Sequence, residues 1–334
     1  MKKINAVITG IGGYVPDYIL TNDELSRMVD TTDEWITTRV GIKERRILKD
    51  KSLGVSFLGT KAVQELIEKT NINPIDVDAV ICATSTSEYV FPAAAALIAN
   101  NCGMKKAFAF DIQAACTGFL VALTNATGLI ESRRYKKIVI VAAEKMSTIV
   151  DYTDRTTCPL FGDGAVAVLV EPTTENTGVI DSVLQSDGAG EPFLKLHSGA
   201  SVYPASHETI DEKWHYIYQK GQAVFKYAVT NMSNASVAIM KRNKLTANEL
   251  TWFIPHQANL RIIDAVAGRM KVGKEKIKIN IEKYGNTSAV SILLCLWEMD
   301  NEKVLRKGDK IVISAFGAGF TWGAMYLIWG YDSK

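Results

Sequence analysis

NPIDVDAVICAT, residues 73–84, has a counterpart 173 positions later in TANELTWFIPHQ, residues 246–257. In each, an acidic residue (Asp76, Glu249) and an apolar neighbour lead into a short apolar run of strand type. The same shift lays KIVI at 137–140 on KIVI at 310–313, and Ala6-Val7-Ile8 on Val179-Ile180-Asp181. One β-branched quartet repeated would mean little. Three segments in one register predict two similar halves, residues 1–174 and 175–334. EPTTENTG, 171–178, is polar and carries Pro and Gly, as a connector should. Strand-like runs alternate with helix-like segments along all 334 residues, the pattern of an α/β protein. In open α/β sheets ligands gather at the carboxyl ends of strands, so residues that follow strand ends are the first candidates for chemistry.

Composition narrows the classes. The chain is 47% hydrophobic and 22% charged, ordinary for a soluble globular protein, and its net charge of +2 argues against a dominant nucleic-acid surface. No run approaches the roughly 18 apolar residues of a membrane span. The start, MKKINAVITGIGGYVP, has a basic end and an apolar stretch, but Asn5 and Thr9 interrupt it and no small-x-small cleavage site follows. It reads as a first strand. Five cysteines at wide spacing, with no C-x-x-C, give neither a disulfide framework nor a zinc knuckle. Reduced thiols in the cytoplasm fit best.

DIQAACTGF, 111–119, follows AFAFDI, which reads as a buried strand, and precedes a helix-like stretch ending in basic residues. Cys116 therefore sits where a strand hands over to a helix. A helix N-terminus lowers a thiol's pKa, and the thiolate is the reactive form. Gly118 lets a substrate or another chain come close. A small buried cysteine would suit the same place, and this stretch alone leaves both roles open. Cys82, Cys102, Cys158 and Cys295 lack the setting and read as core.

His256 follows the apolar run that stops at Pro255, where an imidazole can exchange a proton or a hydrogen bond. His197, His207 and His215 fall in a polar, irregular stretch, 186–216, and read as solvated. Asn286, in KYGNTSAVS, is either a plain turn residue or an amide aimed by the apolar helix that follows. AFGAGFTWGA, 315–324, follows a strand but lacks the spacing of a dinucleotide loop, as does ITGIGGYVP. A turn offering backbone N–H groups to an oxyanion is more natural there. Trp35, Arg39, Arg155 and Arg261 are either solvated surface or rim residues of a site.

Taken together these stretches resemble the β-ketoacyl-[acyl-carrier-protein] synthase III family, the condensing enzymes that initiate bacterial fatty-acid synthesis. The likeness runs in the family's order through ITGIGGYVP, DTTDEWITTRVGIKERR (30–46), DIQAACTGF, DRTTCPLFGDGA (154–165), GQAVFKYAV (221–229), PHQANLRI (255–262), YGNTSAVS and GAGFTWGA. It implies a thiolase-like α/β fold, two similar halves in a five-layer αβαβα arrangement. It also implies a homodimer in which Phe91 reaches the partner's acyl pocket.

On the same resemblance, Cys116, His256 and Asn286 form a catalytic triad. Cys116 takes the acyl group from an acyl-coenzyme A substrate. His256 and Asn286 stabilise the enolate formed when malonyl-acyl-carrier-protein loses carbon dioxide. Backbone N–H groups of Cys116 and Ala318 hold the oxyanion. Trp35, Arg39, Arg155 and Asn259 line the coenzyme A channel, and Gln257, Arg261 and Arg269, with Lys271, meet the acidic carrier protein. No resident cofactor, metal, nucleic acid or membrane is implied.

Two departures stand out. Gln222 replaces a common Asn, and the glycine loop reads G-A-G where some members have three glycines. A relative that moves its acyl group onto an alcohol or amine would need no enolate, so the joint presence of His256 and Asn286 favours condensation. Hydroxymethylglutaryl-coenzyme A synthase needs a glutamate beside the cysteine, and Glu88 is the one candidate, in unlike surroundings. A non-catalytic partner subunit would lack the nucleophile. A papain-like hydrolase pairs Cys with His on a different fold. The primer acyl group is not legible, because alternatives differ by a few methylenes.

Overall fold

The computed structural model describes residues 3–333; Met1, Lys2 and Lys334, the outer ends of the two expected halves, lie outside the described residues. Nine strands build two main sheets. They are β1 (Asn5–Tyr14), β2 (Ala79–Ala83), β3 (Phe108–Ile112), β4 (Ile138–Lys145), β5 (Asp163–Thr173), β6 (Gly178–Ser186), β7 (Trp252–Pro255), β8 (Lys310–Gly317) and β9 (Thr321–Ile328). The first sheet has the order β1-β5-β4-β2-β3 and the second β6-β9-β8-β7. β2 lies parallel to β3 and β4, and β7 parallel to β8; the other pairs are antiparallel.

The register repeats with the sequence. Ala79 faces Ile138 in the first sheet, and 173 positions on Trp252 faces Ile311 in the second. β2 and β4 are buried along their whole length, which is why their sequences are continuous apolar runs. The halves differ at one edge. The first sheet carries β3 beyond β2, whereas among the described residues the second has at that edge an isolated bridge, Phe253 to Ile277.

Seven helices matter here: α1 (Asp33–Val40), α2 (Val55–Thr70), α3 (Ala94–Asn101), α4 (Gly118–Glu131), α5 (Gly221–Arg242), α6 (Leu260–Met270) and α7 (Ser291–Asn301). α4 and α7 are the middle layer. Phe119, Leu123, Ile130, Leu293 and Leu296 are all buried in one cluster with residues of both sheets. Burying each such large side chain is worth about 1.5–3 kcal/mol. α2 and α3 cover the outer face of the first sheet, and α5 and α6 that of the second. The order helix, sheet, helix, sheet, helix follows.

Two readings of the sequence need correction. AFAFDI is not a buried strand: β3 is a sheet edge, Phe108 is 57% exposed and the rest of the strand only half-buried. An apolar run reads alike whether its own chain or something else covers it. The stretch 186–216 is not irregular either. Leu194–Leu196 pairs with Ile217–Gln219, and Ser206 caps a short helix, His207–Asp211. His197 is half-buried against Trp214 and Tyr218 rather than solvated. Among the described residues no helix is long and apolar enough to cross a membrane.

Candidate active site

The floor of the site is where α4 and α7 begin. Strand β3 leads into a 3-10 turn, Ala115–Thr117, from which α4 starts at Gly118. A second 3-10 turn, Ser288–Val290, leads into α7, and the two turns pack on each other. Ala115 and Ser288 both adopt a left-handed backbone, φ 44° and 52°, unfavourable for side chains other than glycine and asparagine. They stand 173 positions apart, so the strained elbow is a property of the repeat.

Cys116 occupies the first elbow. It keeps some accessible surface, but protein surrounds the thiol densely. Burial pushes it up to about 12, more than hydrogen bonding to the Ser288 hydroxyl brings it down, and the nearby Glu144 adds to the rise. The expected standing thiolate is therefore corrected: at rest the sulfur holds its proton, because lost hydration outweighs the roughly 0.3–1 kcal/mol of a helix end. Gly118 makes room for the molecule itself, not for a substrate. A Cβ there would stand 3.1 Å from the Cβ atoms of both Ala83 and Ala289. Gly317, which ends β8 at the glycine turn, has a like reason, since a Cβ would lie 2.7 Å from the Cys116 backbone nitrogen. Ala318 follows it directly, so the two backbones expected to hold an oxyanion run against each other.

His256 extends β7, its N–H donating to Ser314 O at 2.7 Å. Its ring is 1% exposed, with Nδ1 2.6 Å from Ser291 Oγ. Burial pulls the imidazole down to about 3, so it is neutral at any physiological pH. Asn286 is stapled by its backbone to the segment Leu160–Gly162: its N–H donates to Leu160 O at 2.7 Å, and its carbonyl accepts from Gly162 at 3.1 Å. Its side-chain Oδ1 accepts from Ser288 N at 2.9 Å. A backbone N–H can only donate, so the atom facing Ser288 is the oxygen, and Nδ2 is the end left for a ligand.

Glu144 closes the far side. It is fully buried and accepts from Thr86 Oγ1 at 2.6 Å, Thr84 Oγ1 at 3.3 Å and Ser85 N at 3.1 Å. Burial pushes its carboxyl up to about 7, against these hydrogen bonds. Ser288, Ser291 and Glu144 are the site residues that sequence reasoning missed. A lone acid ending the apolar run IVIVAAEK was the one available signal for Glu144.

Trp35 is held by Thr32, which caps α1 and accepts the Trp35 N–H. Arg39 and Arg155 lie over the indole, at 4.8 and 4.9 Å from its centre, and Arg155 pairs with Asp30 at 3.1 Å. An open cleft of about 320 Å³ is lined by Thr32, Glu34, Trp35, Thr38 and Arg39. The segment carrying Arg155 is anchored by the buried Arg45, which donates to Pro159 O at 2.6 Å, Leu20 O and Asn22 Oδ1. Asn259 caps α6, its Oδ1 accepting the Arg261 N–H, so its amide nitrogen is the end available to a channel.

Arg261, Arg269 and Lys271 are exposed on and just beyond α6. Gln257 does not join them, which corrects the expectation of a carrier-protein contact. It is fully buried, its amide nitrogen donating to Pro255 O and its Oε1 accepting the N–H groups of Asn280 and Ile281. Gln222 lies exposed at the start of α5, and Phe91 is 83% exposed on the segment before α3. Glu88 points its Oε1 at Ser56 N, at 2.6 Å, so its carboxylate caps α2.

Known proteins give the same outline. The family model for 3-Oxoacyl-[acyl-carrier-protein (ACP)] synthase III matches residues 110–188, which hold Cys116, and the model of its C-terminal part matches 240–329, which hold His256, Asn286 and the glycine turn. The chain is 57% identical over all its length, and 99% of the relative's, to beta-ketoacyl-[acyl-carrier-protein] synthase III 2 of Bacteroides thetaiotaomicron. It is 58% identical, with the same coverage, to the synthase III of Phocaeicola vulgatus. Among solved structures, 3-oxoacyl-[acyl-carrier-protein] synthase III of Aquifex aeolicus superposes with a TM-score of 0.89 at 40% identity, over 97% of this chain and 100% of that one.

Proposed function

The chain belongs to the 3-oxoacyl-[acyl-carrier-protein] synthase III family, and from that premise we propose how its site works. The enzyme is an acyltransferase that condenses an acyl-coenzyme A with malonyl-acyl-carrier-protein to start fatty-acid synthesis. The Cys116 thiol meets the acyl thioester; its sulfur bonds the acyl carbon, the bond to coenzyme A breaks, and the proton goes to the departing coenzyme A thiolate. Malonyl-acyl-carrier-protein then loses carbon dioxide, and the electrons of the broken bond pass into an enolate. His256 Nε2–H and Asn286 Nδ2–H donate to the enolate oxygen. The carbanion attacks the acyl carbon on Cys116, the carbon–sulfur bond breaks, and the thiolate takes up one proton. Backbone N–H groups of Cys116 and Ala318 hold the oxyanion of each tetrahedral intermediate.

The observation that carries this reading is the turn Asn286–Ser291, which engages Asn286 Oδ1 and His256 Nδ1 and leaves Asn286 Nδ2 and His256 Nε2 as the ends that meet a ligand. Neither donor adds a titrating charge, since the imidazole is neutral above about pH 3. The test is sequential. Incubation with acyl-coenzyme A should leave one acyl mass on Cys116, and addition of malonyl-acyl-carrier-protein should discharge it as 3-oxoacyl product. Release of free acid instead would sink the reading.

The same reading extends to the surroundings. Coenzyme A lies along Trp35, Arg39, Arg155 and Asn259, and Arg261, Arg269 and Lys271 meet the acidic carrier protein. The chain divides at 174/175 into a nucleophile half and a donor half. It works as a homodimer: Phe108 on the open edge β3, with Tyr89, Val90 and Phe91 at 59%, 92% and 83% exposed, forms an apolar face that a second copy covers. Light scattering should give twice the chain mass. The five unpaired cysteines suit the cytoplasm.

A further inference from the structure

We propose that Ser291 is a positioning residue that fixes the tautomer of His256, holding the imidazole proton on Nε2 so that the ring faces the site as a donor. The proposal rests on the role given above to His256 in condensation.

The argument is one of lone pairs and protons. Ser291 Oγ is 1% exposed and sits in the first turn of α7. The Gln257 backbone N–H donates to it at 3.3 Å. That bond uses an oxygen lone pair and leaves the hydroxyl proton to be placed. The imidazole Nδ1 stands 2.6 Å away. A buried hydroxyl whose proton is unbonded bears the desolvation penalty of that proton, so the proton belongs on the line to Nδ1. Nδ1 is then an acceptor, and a neutral imidazole carries its single proton on the other nitrogen. The opposite assignment, Nδ1–H donating to Ser291, would give the site a bare lone pair that repels a developing enolate.

The repeat shows that the contact itself is built into the fold. Ser291 is the counterpart, 173 positions on, of Gly118, and His256 of Ala83; Gly118 and Ala83 are in contact. The fold therefore brings these two positions together in both halves, and only in the second does the contact carry polar atoms. Gln257 backs the same device. Its side chain ties the turn after β7 to Asn280 and Ile281, so the histidine and the Asn286 segment are held in one frame.

The experiment uses the full-length enzyme with ¹⁵N-labelled histidine. In the parent, His256 should show a pyridine-type Nδ1 and a pyrrole-type Nε2; a proton found on Nδ1 overturns the proposal whatever the variants do. Ser291→Ala should acylate Cys116 at the parent rate, lose the single-tautomer signature and lose about tenfold or more in kcat for condensation, with KM for malonyl-acyl-carrier-protein little changed. Ser291→Thr keeps a hydroxyl and should restore both signature and rate. Ser291→Ala condensing at the parent rate overturns the proposal. Failure of the parent to form an acyl adduct would strike the functional reading instead, and the nitrogen spectrum would still decide the tautomer.

Discussion

Gly118 and Ser291 occupy one position of the repeat, and each begins the helix that its half contributes to the middle layer. Their surroundings have parted. Gly118 touches Ala83 and Ala289 through carbon alone. Ser291 holds the imidazole of His256, the counterpart of Ala83, and the counterpart of Ala289 is Cys116. One set of these positions is sealed with small apolar groups. The other carries a nucleophile and its donors. The fold supplies the geometry twice, and the side chains decide which copy reacts.

The harshest way to break that comparison is to move the nucleophile to its counterpart in the other half. Cys116→Ala combined with Ala289→Cys should leave no acyl mass after incubation with acyl-coenzyme A, a loss of on the order of 10³-fold or more. The thiol at position 289 would face Gly118 and Ala83, with no hydroxyl, glycine turn or imidazole. An adduct there would show that the two sides are chemically alike. A nearly equal effect is expected from pH. With its thiol at about 12, Cys116 should be alkylated by iodoacetamide about tenfold faster per pH unit, roughly 10³-fold from pH 7 to 10. A plateau near pH 7 would restore a standing thiolate. Next come His256→Ala and Asn286→Ala. Each should keep the adduct on Cys116 and lose condensation by about 10²–10³-fold. Parent-rate condensation in either would end their assignment as the donor pair.

Each half also buries a titratable group near the site, and the two act oppositely on stability. Glu144, in the first half, is raised from 4.5 to about 7. Its contribution is fully present below pH 4.5 and is lost as pH rises through 7, because the unfolded chain releases the proton first. His256, in the second, is lowered from 6.5 to about 3. Its contribution is present above pH 6.5 and is lost as pH falls toward 3. Each swing is of order a few kcal/mol. Urea unfolding at pH 4, 5.5 and 8 should therefore separate Glu144→Gln, which lacks the alkaline loss, from His256→Asn, which lacks the acid loss. Parallel pH curves for parent and variants would remove the buried carboxyl and imidazole from the account.

The sequence disclosed much of this, and the failures share a cause. The 173-residue register was legible because strands buried on both faces are continuous apolar runs, and KIVI survives in both copies. Cys116 and His256 were legible as candidates from their places after strand ends, whereas Asn286, in a turn after a short helix, was singled out by the family resemblance. Ser288, Ser291 and Glu144 were not, since each matters through a partner far along the chain: Ser291 is 35 residues from His256, and Glu144 is 58 from Thr86. Gln257 misled for the opposite reason. It follows His256 in a motif that reaches the surface four residues later, at Arg261, yet its own side chain points inward. The thiol of Cys116 misled because a helix end can be read from sequence while the density of protein around it cannot.

The mildest test gives the quiet side the residue of the reactive one. Gly118→Ser adds a Cβ 3.1 Å from Ala83 and Ala289, closer than ordinary contact, so both neighbours must yield. The hydroxyl finds alanine where Ser291 finds an imidazole, and it brings a buried polar group toward a carbon wall. Serine's better helix propensity returns only about 0.5 kcal/mol. The net loss should be roughly 1–3 kcal/mol, read as a lower urea midpoint at unchanged m-value. Ser291→Gly, its mirror, should cost stability for another reason, by stranding the Gln257 N–H and the imidazole nitrogen without a partner. If Gly118→Ser unfolds at the parent midpoint, the first half has room that the packing denies. Gly118 and Ser291 would then share a number in the repeat but not an environment.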